Sequence, residues 1–213
     1  MNITKLGHCC LLIEIAGKRV LTDPGAWSTL QNDVRDIDLI LITHEHTDHL
    51  HIESLEQVLK NNPQAKIVTN SSVGKLLAAK SIPFEVLEDG RQATVCEISL
   101  EAFGTAHAEI FAELGQVQNT GFFINDILFY PGDAFTLPGK PVDVLALPIV
   151  GPWTSFKQAM NYAIQIHPRV CFPVHDGMLI SDRPGPTYRL PPQILAAHGI
   201  EFVVIGVGET KEF

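Results

Sequence analysis

A chain of 213 residues is long enough to bury a sizeable core, and 46% hydrophobic with 18% charged residues excludes an intrinsically disordered composition. Fifteen Lys and Arg against 24 Asp and Glu give a formal charge of −9, a surface that repels phosphate backbones and counts against nucleic acid as a partner. No apolar run approaches the ~20 residues of a membrane span, and the opening MNITKLGHCC has no basic segment leading into an apolar one, so a cytoplasmic location away from membranes is expected.

The chain opens as a β meander. Strands are expected over 2–6, 10–15 and 18–22, the last two joined by a tight turn at Ala16-Gly17, and the run ends at the turn cluster Asp23-Pro24-Gly25. Residues 37–43, IDLILIT, have the compact apolar character of a buried strand. Ile52, Leu55, Val58 and Leu59 recur at helical spacing over 52–60, and Asn61-Asn62-Pro63 stops that helix. The polar segment between them is therefore a loop from a strand end to a helix start, where sites form in open α/β sheets. A strand at 66–69 and a helix near 72–80, capped by Ser71 or Ser72, follow. Strand-like pieces occupy 84–87, 93–103 and 117–131, with Asn125-Asp126 as a hairpin turn inside the last. The second half reads as a buried strand at 142–149, a helix over 154–166 with Thr154 and Ser155 as N-caps, and a strand at 169–174. A Pro/Gly-rich loop over 177–191, a helix near 191–198 and a strand at 201–206 complete the pattern. Strands dominate early and strand–helix alternation dominates late, which suits one domain over 1–213 with two sheets covered by helices.

The segment Thr43-His44-Glu45-His46-Thr47-Asp48-His49 carries the chemistry. Neutral imidazole nitrogens and a carboxylate crowded on one loop suit Zn²⁺ and similar divalent ions. Three further candidates stand where a strand gives way to a loop: His107 after 93–103, Asp133 in Pro131-Gly132-Asp133-Ala134, and His175 in Pro173-Val174-His175-Asp176-Gly177. Each alone has a dull explanation, a structural histidine or a Gly-Asp turn, so the argument rests on the set. Asp23 is either a hydrogen-bond acceptor for a ligand imidazole or the loop backbone, or an Asx-type turn residue. His8 is a pocket residue or a satisfied core histidine. Trp153 is a wall of the substrate pocket or a plain loop aromatic, and the amides at the helix start beside it could receive an anion. His51 reads as a neighbour of the ligands or a surface group, and His167 and His198 sit at helix ends. Tyr130, Phe135 and Tyr162 read as core aromatics, and Glu45 as solvent-facing. Cys9, Cys10, Cys96 and Cys171 form no CxxC pair, so buried reduced thiols are expected.

The run HEHTDH resembles the H-x-H-x-D-H signature of the metallo-β-lactamase superfamily, and Asp23, His107, Asp133 and His175 follow in the order that superfamily uses. The stretches LGHCCLLIEIAGKRVLTDP and PVHDG resemble the small metal-dependent hydrolase branch related to ascorbate-6-phosphate lactonase, although this chain is shorter than the lactonase and substrate identity does not carry over. The resemblance covers nearly the whole chain and implies a four-layer αββα sandwich. It implies that His44, His46 and His107 hold one metal, that Asp48, His49 and His175 hold the other, and that Asp133 bridges. Asp133, where many β-lactamases of the superfamily carry Cys, disfavours antibiotic hydrolysis; His46, where diiron oxygen reductases carry Glu, points to hydrolysis.

Two divalent ions about 3.5–4 Å apart share a water and lower its pKa towards neutrality, so a bridging hydroxide is the expected nucleophile. Asp48 is the expected proton acceptor or orienter as well as a ligand. Two Zn²⁺ ions are the default by ligand type, and Mn²⁺ fits the carboxylates too. The expected substrate is a small ester, lactone or phosphate-containing molecule. The rivals are an RNA or DNA phosphodiesterase and a non-hydrolytic iron enzyme or metal-bound sensor. The loops 26–36, 108–118 and 177–191, expected to line the pocket, carry no readable substrate code, and nothing in the sequence fixes the oligomeric state.

Overall fold

The computed structural model describes residues 1–179, 183 and 185–213; the rest of the loop expected over 177–191 lies outside the described residues. The first sheet is built from β1 (Asn2–Gly7), β2 (Cys10–Ile15), β3 (Lys18–Thr22), β4 (Leu39–Ile42), β5 (Lys66–Thr69) and β6 (Glu85–Val86), with α1 (Ile52–Asn61) and α2 (Ser71–Ala79) as crossovers. The second holds β7 (Gln92–Val95), β8 (Ile98–Phe103), β9 (Gly121–Ile124), β10 (Leu128–Tyr130), β11 (Val144–Pro148) and β12 (Val170–Val174), and α3 (Phe156–Ile166) joins the last two. After α4 (Gly185–Arg189) and α5 (Pro191–Ala196), β13 (Glu201–Phe202) extends the second sheet and β14 (Thr210–Glu212) returns to pair with β1.

The spatial orders are β14-β1-β2-β3-β4-β5-β6 and β13-β12-β11-β10-β9-β8-β7. The period-2 alternation of each strand decides what its two faces meet. In β4, Leu39 and Leu41 enter the core between the sheets, while Ile40 and Ile42 pack with Leu55, Val58, Val73 and Leu77 of α1 and α2. In β11, Val144 and Ala146 enter the same inter-sheet core, and Leu145 and Leu147 pack under Ala159, Met160 and Ala163 of α3. Three apolar layers between four structural layers make an αββα sandwich. No helix among the described residues is long and apolar enough to cross a membrane.

Several expectations change. The strand expected over 93–103 is a hairpin: Cys96 and Glu97 take φ values of +50° and +67°, a left-handed pair that closes a two-residue turn without the usual Asn or Gly. The turns at Ala16-Gly17 and Asn125-Asp126 are left-handed pairs as well. Asn70, not Ser71 or Ser72, caps α2 by accepting the Val73 N–H. Ser155 caps α3 in a reciprocal box with Gln158. The loop expected over 177–191 contains the short α4, and the strand expected over 201–206 ends at Phe202.

The sandwich positions the site through strand direction. β1 and β3 run alike because both are antiparallel to β2, and β4 is parallel to β3. In the other sheet β8 and β10 run alike across β9, and β11 and β12 are parallel to β10. The segments carrying His8, Asp23, the 43–49 run, His107, Asp133, Trp153 and His175 each follow the C-terminal end of one of these strands.

Candidate metal centre

At this end of the sandwich ligand-type side chains from five separate segments of the chain converge. His44, His46 and His107 offer ring nitrogens that all lie within 4.8 Å of one another. His8, Asp48, His49 and His175 form a second such group, and Cys9, His49 and Asp133 a third. Asp133 stands between the first two: its Oδ2 is 3.3 Å from His107 Nε2 and 2.8 Å from His175 Nε2, and its Oδ1 is 3.2 Å from His49 Nε2.

The outer nitrogens are anchored so that the inner ones face one another. His49 Nδ1 donates to Asp23 Oδ2 at 2.8 Å, His107 Nδ1 to the Ala108 carbonyl at 2.5 Å, and His175 Nδ1 to the Val150 carbonyl. Thr43 Oγ1 donates to Asp23 Oδ2 at 2.8 Å and so accepts from His44 Nδ1 at 3.0 Å. Such bonds fix tautomer and ring orientation and leave Nε2 free for a cation. His46 turns Nδ1 to within 3.1 Å of His44 Nε2. Asp133 Oδ2 also accepts the Trp153 indole N–H at 3.1 Å, and Asn119 Oδ1 accepts the Asp133 backbone N–H at 3.0 Å.

His8 is wired the other way. Its Nδ1 accepts the Gly177 N–H at 3.0 Å, so its proton sits on Nε2, which donates to Asp48 Oδ2 at 3.1 Å. His8 therefore holds Asp48 rather than offering a lone pair. A Cβ on Gly177 would lie 2.9 Å from His8 Nδ1, so this approach requires glycine. The Asp23-Pro24-Gly25 turn is equally tight: a Cβ at Gly25 would come within 1.8 Å of the Asp48 carbonyl oxygen, and Ala26 N donates to the Thr47 carbonyl at 2.8 Å. His8, Asp23 and His175 all take positive φ, at +37°, +37° and +56°. These left-handed backbones at three non-glycine residues are held by the surrounding contacts.

Electrostatics divide the site. Burial, with His49 nearby, holds the His44 imidazole well below its usual range, and burial lowers His46. Burial also disfavours charge on His175 and His49, yet the surrounding anions win: Cys9, Asp133 and Asp48 push His175 up to about 11, and Asp133 leads in raising His49 well above its usual range. Burial opposes ionisation of Asp48 and Asp133 too, but the histidine hydrogen bonds and charges hold both carboxyls well below the usual carboxylate range. Without a cation the second group thus compensates its carboxylates with protons.

The residues fit a divalent cation on a separate observation. His49 Nε2 and Asp133 Oδ1 are buried with no hydrogen-bond partner. The two atoms face each other at 3.2 Å as an ion pair that completes no hydrogen bond, and coordination to a shared cation would satisfy both. The donor set of imidazole nitrogens and carboxylate oxygens suits Zn²⁺ or Mn²⁺.

Among the other candidates, Trp153 is buried beside His107 and His175 and lines a cavity of about 460 Å³ over the cluster. Glu45, expected in solvent, lines that cavity and accepts from Ser72 Oγ at 2.7 Å. His51 stays outside, bonded to Ser54 and paired with Glu53. Tyr130 is a core aromatic whose hydroxyl also donates to Asp23 Oδ2 at 2.7 Å. Trp27, from the loop 26–36 expected at the pocket, lines the cavity; Thr43 and Asn119 go unremarked as site residues in the sequence because neither belongs to a ligand-type pattern. Only adjacency to His44 could have drawn attention to Thr43.

The chain matches a beta-lactamase superfamily domain over residues 2–175. It is 32% identical over 193 residues to Protein Rv0786c of Mycobacterium tuberculosis, covering 88% of this chain and 90% of that protein. It is 29% identical over 194 residues to a UPF0173 metal-dependent hydrolase of Caldivirga maquilingensis, covering 80% and 79%. The fold is shared with Igni18, a metallo hydrolase from Ignicoccus hospitalis, at a TM-score of 0.78 and 22% identity over 100% of this chain and 98% of that one. The chain belongs to the beta-lactamase superfamily, among its metal-dependent hydrolases.

Proposed function

We propose that this member of the beta-lactamase superfamily is a two-metal hydrolase of a small ester, lactone or phosphate-containing substrate. His44, His46 and His107 would hold one ion, Asp48, His49 and His175 the other, with Asp133 shared. The observation that carries this reading is the position of Asp133, whose Oδ2 lies within 3.3 Å of His107 and His175 and whose Oδ1 lies 3.2 Å from His49, so that one carboxylate meets histidines of both groups. When bound, a pair of divalent ions acidifies a water for attack and polarises the scissile bond. Zn²⁺ is the default, with Mn²⁺ as the alternative that the carboxylates allow.

The chain's own groups have separable tasks. Asp48 keeps one carboxylate oxygen at 3.1 Å from His8 and 3.5 Å from His175, and acts as ligand and as acceptor for the proton of the attacking water. Asp23 holds His49 and Thr43, and Trp153 fixes Asp133 through its indole N–H. The side chains of Trp153, Ile110 and Met178 wall the cavity and limit water around the scissile group. A charge of −9 and a small cavity favour a small molecule over a nucleic acid as substrate, in a cytoplasmic setting that suits four free thiols.

The test is elemental analysis of protein purified without added metal, then a screen against lactones, esters and phosphodiesters. Two equivalents of Zn²⁺ or Mn²⁺ and turnover of one of these classes are expected. Asp48→Ala should lower kcat/KM by about 10²–10⁴-fold and reduce metal content. Retention of both near wild-type levels overturns the assignment.

A further inference from the structure

A second cavity, of about 630 Å³, lies behind the metal centre. It falls within the roughly 300–1,000 Å³ typical of small-molecule sites. Trp27 walls both cavities, and residues 177–179 run along both, with Gly177 and Leu179 facing this one and Met178 the other. His8 stands at the partition, its ring centroid 4.7 Å from Trp27 and 4.2 Å from His175. The two spaces therefore lie on either side of the Trp27 and His8 rings.

Its chemistry is apolar. Leu6, Leu30, Leu179, Val204, Ile205 and Val207 contribute to its walls, and large side chains at its edge stay in water: Trp27 is 46% exposed, Leu30 45% and Val207 64%. The ionic groups that line it cancel locally. The buried Lys5 ammonium is bonded to Asp176 and to the Pro173 carbonyl, and the Tyr188 hydroxyl donates to the same Asp176 carboxylate. A phosphate or carboxylate arm would find Lys5 already paired, whereas a hydrocarbon arm covers surface that is otherwise wetted.

We infer that this cavity receives the acyl or alkyl chain of a substrate whose scissile group sits at the metal centre; the inference rests on the hydrolase reading above. The occupant follows from the adjacency of the two cavities, which share the half-exposed Trp27 side chain as a wall, and from the internal neutrality of the Lys5–Asp176–Tyr188 group. The reaction it serves is hydrolysis of an ester: water adds across the acyl–oxygen bond, giving the carboxylate, the alcohol and one proton.

The experiment has two readouts on the full zinc-loaded chain. The first compares kcat/KM for p-nitrophenyl acetate, butyrate and octanoate. Each methylene that enters the cavity should raise kcat/KM by up to about fourfold, equivalent to ~0.8 kcal/mol. Val207→Phe, which fills the mouth, and Leu30→Glu, which places a carboxylate in the wall, should each cut the octanoate-to-acetate ratio at least tenfold and leave acetate turnover within about twofold. Both positions are exposed, where substitutions seldom disturb folding. The second readout needs no turnover: titration with 1-octanol should shift tryptophan emission to the blue as Trp27 is covered, an effect lost in Leu30→Glu, in Val207→Phe and in Trp27→Phe. Ester hydrolysis equal for acetate, butyrate and octanoate, with no octanol-induced shift, overturns the cavity assignment and leaves the hydrolase reading standing. A saturable shift abolished by Leu30→Glu, with no ester hydrolysed at any length, supports the cavity as a hydrocarbon site and removes the ester from the proposed substrates.

Discussion

His8 belongs to the same cluster as Asp48, His49 and His175, with all four ligand-type atoms inside 4.8 Å, yet its hydrogen bonds run in the opposite sense. Four histidines donate outward from Nδ1 to a carboxylate, a hydroxyl or a carbonyl; His8 accepts at Nδ1 and donates inward from Nε2 to Asp48. That difference predicts a difference in mutants. His8→Ala should lower kcat about 10–100-fold, the range of lost outer-shell support, while the metal content of the His44 group stays unchanged. His8→Gln, which can still donate to Asp48, should recover part of the loss. Parallel steady-state kinetics and metal analysis check both, and loss of all metal from His8→Ala would make His8 a ligand instead. Nothing in the sequence separates His8 from a core histidine, because direction of hydrogen bonding depends on Gly177, 169 positions away.

The Asp23-Pro24-Gly25 turn and the 43–49 loop behave as one element. Gly25 lies against the Asp48 carbonyl, Asp23 accepts from Thr43 and His49, and His51 N donates to the Pro24 carbonyl at 3.2 Å. Gly25→Ala forces this packing apart, so a loss of about 1–3 kcal/mol is expected. A lower Tm together with weaker metal retention, measured on one preparation, would show it. The second group of ligands also carries the pH dependence. Asp133, Asp48 and Cys9 keep a proton on His175 up to about pH 11 when no cation is present, and His49 is raised likewise, whereas burial keeps His44 and His46 neutral. A ligand imidazole must be unprotonated, so cation binding at the second group must displace protons, and affinity there should rise with pH across the neutral range. Loading at the first group should be nearly pH-independent above pH 7. Calorimetry in buffers of differing ionisation heat should therefore resolve proton release with the second equivalent of metal and little with the first. The turn was legible as a turn from Asp-Pro-Gly, and Asp23 as an acceptor for a ligand imidazole or the loop backbone was one of two readings; the close packing of Gly25 on the Asp48 carbonyl was not legible, since 23 residues separate them.

Across the whole molecule the candidate ligands come from both sheets: His44, His46, Asp48 and His49 follow β4 of the first, and His107, Asp133 and His175 follow strands of the second. Ions held there would tie the two sheets together at one end. Removing them with a chelator should lower the stability by about 4 kcal/mol if free metal had stood near 1,000 times Kd. The expected readout is a fall in Tm that added Zn²⁺ or Mn²⁺ reverses; an unchanged Tm in protein proven metal-free would mean that the ions add nothing to sheet docking. The amino-acid order alone determined the local chemistry and most strands and helices, because hydrophobic periodicity and Gly, Pro and Asn turns act within a few residues, and HEHTDH places its donors on one loop whatever surrounds it. It missed the Cys96-Glu97 turn and the strand Thr210–Glu212, whose conformations depend on β8 and β1 lying alongside. Only the tertiary structure decided that His8 accepts at Nδ1 and turns Nε2 to Asp48, that Tyr130 reaches Asp23, and that a second, largely apolar space shares the Trp27 wall of the metal pocket. Those facts are set by the register and direction of strands far apart in the chain, and no short-range pattern encodes them.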